Sequence, residues 1–198
     1  FGNGASIKYF DLSKFSDRIS IGCGLLFLHK DFNSLNMPYY FTGHPFFYYP
    51  YWTNPYSKSF EKNLLGSTYK SFIKKFDDIE YFVSLTNYLG LFGSNINYVY
   101  HYDEPFSRKK EVGLSEKFIF MESALAGMLG IACYMGFKDI ILVGCDYVLT
   151  PKMNGHFYEY GQRPFSDNKT PYTEKPLRAI NKFINISSVT VNDNFSGD

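Results

Sequence analysis

SALAGMLGIACYMGFKDIILVGCDY, residues 123–147, is the stretch on which the fold turns. Its first half carries no charge and is rich in small residues: Ala124, Ala126, Gly127, Gly130 and Ala132. A helix with such a surface can lie close against a sheet. We predict this helix from Ser115-Glu116 to about Met135, with Gly136 where a helix end favours a left-handed residue. Lys138 to Gly144 then reads as a strand whose apolar run, Ile140 to Val143, is continuous instead of alternating, the pattern of a strand covered on both faces. Helix, tight turn and buried strand in this order indicate an α/β fold with a parallel sheet.

The rest of the chain fits that frame. Gly2 to Ser6 (GNGAS) reads as a tight turn leading into a short helix or loop, and because a glycine turn normally follows a strand, the first strand is expected to start before Phe1. Arg18 to Leu28 has the content of a buried strand interrupted by Gly22 and Gly24, and Tyr39 to Thr42 that of another. Pro45 and Pro50 forbid regular structure in the aromatic segment after it. Leu64, Leu65, Tyr69, Phe72, Ile73 and Phe76 recur at helical spacing across 57–76. Strands are predicted at 79–85 and 96–102, a loop over 148–175, a last helix over 176–184 and a last strand over 188–192. With no internal repeat and no linker, 1–198 reads as one domain.

Composition narrows the function classes. Twenty basic and nineteen acidic residues give a net charge of +1, so no strong field favours a nucleic-acid partner. Cys23, Cys133 and Cys145 are odd in number and sit in apolar surroundings, which suggests reduced thiols in a cytoplasmic protein and no disulfide framework. No zinc-ligand spacing occurs. The apolar stretch 123–137 is shorter than the ~20 residues a membrane-spanning helix needs. A homo-oligomer and a peripheral contact at the inner face of the membrane are both compatible with this composition.

In an open parallel sheet, ligands gather beyond the carboxyl ends of the strands. Asp146 stands at such an end, where a carboxylate either accepts hydrogen bonds from sugar hydroxyls or caps the turn. Gly144 leaves room for a base or ribose against the backbone. The GNGAS turn either offers N–H groups to a phosphate or is simple turn chemistry. His156, in a loop with Tyr158 and Tyr160, is the first candidate for a base, and His44 the second; each is otherwise a solvated loop histidine. Tyrosine hydroxyls such as that of Tyr158 can bind a departing phosphate without carrying charge. The FFYYPYW segment (46–52) has three readings: stacking on a ligand, docking on a membrane surface, or packing in the core.

GNGASIKYFDLSKF (2–15) and SALAGMLGIACYMGFKDIILVGCDY, followed by NGHFYEY (154–160), together resemble the small bacterial sialyltransferases that use CMP-sialic acid. They also resemble a broader related group that includes flagellin-glycosylation accessory proteins and an archaeal pterin pyrophosphokinase. The resemblance covers about a third of the chain and implies a Rossmann-like fold, a mostly parallel sheet flanked by helices. It further implies that Gly2, Asn3, Gly4 and Ser6 face the phosphate and ribose of CMP, with Ser123 near the start of the helix beside them. Gly144, Asp146 and Tyr147 would contact the cytidine part, Tyr158 would steady the leaving phosphate, and His44-Pro45 would lie beside the donor. Three departures stand out, one being that the arginine before the sialyltransferases' Thr-Ser-Gly has no evident counterpart here. The segment before the last helix, NKTPYTEKP (168–176), lacks the histidine the sialyltransferases carry there, and Gly22-Cys23-Gly24 replaces their Cys-Asn-Gln.

The expectation is therefore a metal-independent glycosyltransferase for surface polysaccharide. It would move a sialic acid or related sugar from a CMP-sugar donor, as substrate and with no cofactor, to a glycan or glycolipid hydroxyl. The alternatives are a magnesium-dependent pyrophosphokinase, which needs more carboxylates than Asp146, and a noncatalytic glycan-assembly protein of the same fold. Asp103, Glu104 and Asp167 are the acids that could join Asp146.

Overall fold

The computed structural model describes residues 1–49, 60–100, 123–150, 152–160, 165–166, 180–181, 183–189, 191 and 196–197. Strands β1 (Ile21–Cys23), β2 (Tyr39–Thr42), β3 (Glu80–Ser84) and β4 (Ile96–Val99) lie side by side in chain order, every neighbouring pair parallel. Successive side chains of a strand point to opposite faces, and the apolar residues sort accordingly. Tyr40, Tyr81, Val83 and Ile96 enter one core with Tyr69, Phe72 and Ile73 of helix α1 (Phe60–Lys75). Phe41, Phe82 and Val99 enter the other, with Ala126, Met128, Leu129 and Ile131 of helix α2 (Ala124–Tyr134). This is a mixed α/β architecture, a parallel sheet between two helices.

The two faces pack differently. Under α1 the core is aromatic: Phe72 stacks on Phe27 at 4.2 Å and meets Tyr81 edge-on at 5.8 Å. The helix buries Tyr69, Phe72 and Ile73, one stripe at i, i+3 and i+4, whereas Leu64 and Leu65 of the predicted stripe are exposed. Under α2 the approach is close, as the small residues imply; a Cβ on Gly127 would stand 2.3 Å from Phe41 Cζ. The described helix starts at Ala124, because Ser123 has extended backbone and its hydroxyl accepts the Ala126 N–H at 3.1 Å. Residues 115–122 of the predicted helix fall outside the described residues. Its other end closes as predicted on Gly136 at φ +86°, with Gly136 N–H on Cys133 O and Phe137 N–H on Ala132 O.

After α2 comes β5 (Asp139–Leu142), then the short strands β6 (Leu149–Thr150), β7 (Lys152–Met153) and β8 (Phe165–Ser166), then β9 (Asn185–Ser188) and β10 (Ser196–Gly197). β5 pairs in parallel with β9, β6 antiparallel with β10, and β7 antiparallel with β8. Four expectations are corrected here. The last parallel strand is 185–188, earlier than 188–192. The stretch 148–175 contains three short strands and is not loop alone. The strand expected over 18–28 shrinks to three residues, because Gly24 at φ +58° turns the chain into a 3-10 turn at Leu26–Leu28. β5 is not covered throughout, since Ile141 is 37% exposed beside an opening between β1 and β5. Of the aromatic segment, Phe46 to Tyr49 is described, and Tyr48 packs in the core with its hydroxyl 2.8 Å from Thr42 Oγ1. The remainder, 50–52, lies outside the described residues, as does most of the predicted helix 176–184.

Candidate functional site

The chain begins between β1 and β5. The Phe1 amine donates to Ile21 O at 2.7 Å, Gly2 N–H to Val143 O at 2.8 Å and Gly4 N–H to Gly144 O at 2.7 Å. Ser6 then reaches the residue that follows β5: its N–H donates to Asp146 Oδ2 at 2.8 Å and its hydroxyl to Asp146 Oδ1. Two segments 140 residues apart are thereby locked at the carboxyl edge of the sheet. On the other side Asn3 extends over the end of β1, where Nδ2 donates to Cys23 O at 3.0 Å. Gly24 is needed there twice over, for its positive φ and because a Cβ would stand 2.1 Å from Asn3 Nδ2.

The 154–160 loop closes onto this junction. His156 forms an isolated antiparallel bridge with Gly4, and Phe157 N–H donates to Asn3 O at 3.0 Å. The His156 ring stacks on Tyr158 (5.1 Å between centroids, 10° between planes) and lies 6.5 Å from Tyr147. Its Nδ1 is 2.9 Å from Glu159 Oε1, and Glu159 Oε2 accepts the His156 N–H at 3.3 Å. Lys8 Nζ donates to the Glu159 carbonyl at 2.7 Å and ties the loop to the first turn.

Of the residues singled out in the sequence, Gly2, Asn3, Gly4, Ser6, Gly144, Asp146, Tyr147, His156 and Tyr158 converge here. Their roles are partly different from those expected. The N–H groups of Gly2, Gly4 and Ser6 donate within the chain, so none of these three is offered to a phosphate. Asp146 is 1% exposed with both carboxylate oxygens engaged by Ser6, the arrangement of a residue that holds the turn. Ser123 caps α2. His44 stands beyond β2, its ring 5.1 Å from Phe47 and its carbonyl accepting Asn87 Nδ2 at 2.8 Å.

Burial sets the protonation of the buried groups. It raises the Asp146 carboxyl above the ordinary carboxylate range against the lowering effect of the Ser6 hydrogen bonds. It pushes the Cys23 thiol up to about 12 and also raises Cys145, so both stay thiols and are poor nucleophiles near neutral pH. Tyr158 is likewise raised by burial and remains a neutral hydroxyl donor. Asn3 Oδ1 is a buried acceptor with no partner, an uncommon state that marks this junction.

Sequence reasoning missed Glu159 and Asn87. Glu159 was legible as the i+3 partner of His156. Asn87 had no such signal; it is fully buried and holds the loop after β2, through its bond to His44 O and by accepting Tyr48 N–H at 3.0 Å. Among the described residues no three His, Cys, Asp or Glu side chains converge as a metal site; Asp103, Glu104 and Asp167 lie outside them, as does His101. No described helix is long and apolar enough to cross a membrane. No protein-family model, curated protein or solved structure matches the chain.

Proposed function

We propose that the chain is a glycosyltransferase of Rossmann-like fold that takes a CMP-sugar as donor and transfers the sugar to a glycan hydroxyl. One observation carries the reading: the Gly2–Ser6 turn, the Gly144–Tyr147 end of β5 and the His156–Glu159 loop meet at a single carboxyl rim. Their resemblance to the CMP-sialic acid-dependent enzymes requires that meeting, and a chance similarity of separate motifs does not. In this mechanism Glu159 accepts a hydrogen bond from His156 Nδ1–H, which leaves Nε2 free to take the acceptor's proton. The acceptor oxygen bonds to the anomeric carbon as the bond from that carbon to the CMP phosphate breaks. The Tyr158 hydroxyl donates to the phosphate as it leaves. Asp146 serves as a clamp that sets the turn, so contact with the rest of the donor falls to the partly exposed Asn3 and the exposed Tyr147.

A second reading, a noncatalytic assembly protein, is favoured by a different observation: three of the turn's N–H groups and both Asp146 oxygens are already satisfied within the chain. Isothermal calorimetry separates the readings. CMP binding without magnesium is expected, and His156→Ala should slow sugar transfer at least ~100-fold while leaving CMP affinity within about twofold. Binding of ATP with magnesium alone would point to pyrophosphoryl transfer, and binding of neither nucleotide to the noncatalytic role.

A further inference from the structure

A cavity of about 320 Å³ separates β1 from β5. Leu125, Met128 and Leu129 of α2 form its floor, and Ile19, Ile21 and Ile141 stand along its sides. The backbones that border it are oriented in a specific way. Ser20 N–H donates to Asn36 O, so Ser20 faces β2, and by the alternation of an extended chain Ile19 and Ile21 face the cavity. Asn185 N–H donates to Lys138 O and Val189 N–H to Leu142 O, so those residues face β9 while Asp139, Ile141 and Val143 face the cavity. Two strand edges therefore look at each other across an apolar gap. Unpaired backbone groups in such a setting are costly.

Phe1 and Gly2 already stand between those edges. The Phe1 amine is bonded to Ile21 O on one side and Gly2 N–H to Val143 O on the other. Two ladders that both reach the same short stretch of chain are two strand spacings apart, room for one strand. The chain continues from Phe1 to Asn3 in the sense that β1 runs from Ile21 to Cys23, which makes the position parallel.

We propose that this gap is a strand-acceptor site, filled by one extended apolar segment of about four residues, the length of β5, joined to the amino group of Phe1 and parallel to β1 and β5. The register follows from the existing bonds. In a parallel ladder each residue donates to one neighbour and accepts from the residue two further along. The residue joined to Phe1 donates to Ile141 O and accepts Val143 N–H. The residue before it donates to Ile19 O and accepts Ile21 N–H. The segment joins the sheet of β1 to β4 with the pair β5–β9 into a single parallel sheet, and its side chains cover Leu125, Met128 and Leu129. The proposal does not depend on the proposed activity.

The test compares the chain with itself carrying Val-Ile-Val-Ile or Gly-Ser-Gly-Ser before Phe1, by amide hydrogen exchange. The Val-Ile extension is expected to slow exchange at Ile21, Ile141 and Val143 by about tenfold or more and to raise Tm, with no comparable change for Gly-Ser. Should Val-Ile-Val-Ile aggregate, Thr-Val-Thr-Val repeats the comparison with a more soluble strand former. Unchanged exchange at those three amides overturns the proposal. So does protection confined to the outer edges at β4 or β9, or protection that appears only as the protein dimerises, which would assign the gap to a second copy.

Discussion

Phe1 to Ser6 runs between two unlike regions. Toward the carboxyl ends of the strands, Asn3, Gly4 and Ser6 are bonded to Cys23, Gly144 and Asp146, and the 154–160 loop seals the junction from outside. Toward the amino ends, the same two walls, β1 and β5, face each other across an apolar cavity with their backbone groups turned inward. The difference shows what each kind of closure needs. Polar closure is supplied by single side chains with fixed directions, and one carboxylate can finish it. Apolar closure between strands needs a whole extended segment, because ladder groups must be met one by one along its length.

The comparison breaks most sharply at Asp146. Replacing it with Ala leaves the Ser6 N–H and hydroxyl buried without acceptors, and at about 1–3 kcal/mol per stranded group the loss should reach roughly 2–4 kcal/mol in urea unfolding. The rim amides, not those at the cavity, should lose most of their exchange protection. Asp146 also gives a pH signature. Burial raises its carboxyl in the folded state, so the folded form holds its proton more tightly than the unfolded form. Its contribution is then complete in acid, below the unfolded value, and is lost as pH rises through the folded value. The stability of the native protein relative to Asp146→Asn should decline across that window as pH rises. A flat difference would show that the Ser6 bonds cancel burial.

A smaller effect is expected from Gly24→Ala, which forces a side chain into left-handed backbone and against Asn3. About 1–3 kcal/mol is the expected cost, and the bond from Asn3 to Cys23 should fail with it. The smallest comes from Ser123→Ala, the loss of one helix cap, at ~1 kcal/mol. Because Ser123 caps the helix that floors the cavity, this variant should loosen α2 and leave the rim's exchange rates unchanged. Loss of rim protection in Ser123→Ala would show that the two regions are coupled.

Local chemistry explains what could be read early. The Tyr39–Thr42 strand, the α1 stripe at Tyr69, Phe72 and Ile73, the Gly136 helix stop and the small-residue face of α2 are each set by a few neighbouring residues. The rim residues were legible as types at the ends of predicted strands, but their duties were not. Asp146 as a free ligand and Asp146 as a clamp look identical in sequence, because the choice depends on Ser6, 140 residues away. Asn87 was invisible for the same reason: its partners, His44 and Tyr48, belong to another loop.

By itself the sequence determined the class of fold, the order of most strands and helices, and which polar residues gather at strand ends, since periodicity, glycine placement and capping act over a few residues. Only the tertiary structure decided that the turn's N–H groups are used internally, that His156 is paired with Glu159 against Gly4, and that β1 and β5 stand apart around an apolar gap. Those outcomes depend on which distant backbone groups face each other. That pairing is fixed when the layers pack, and no local pattern encodes it.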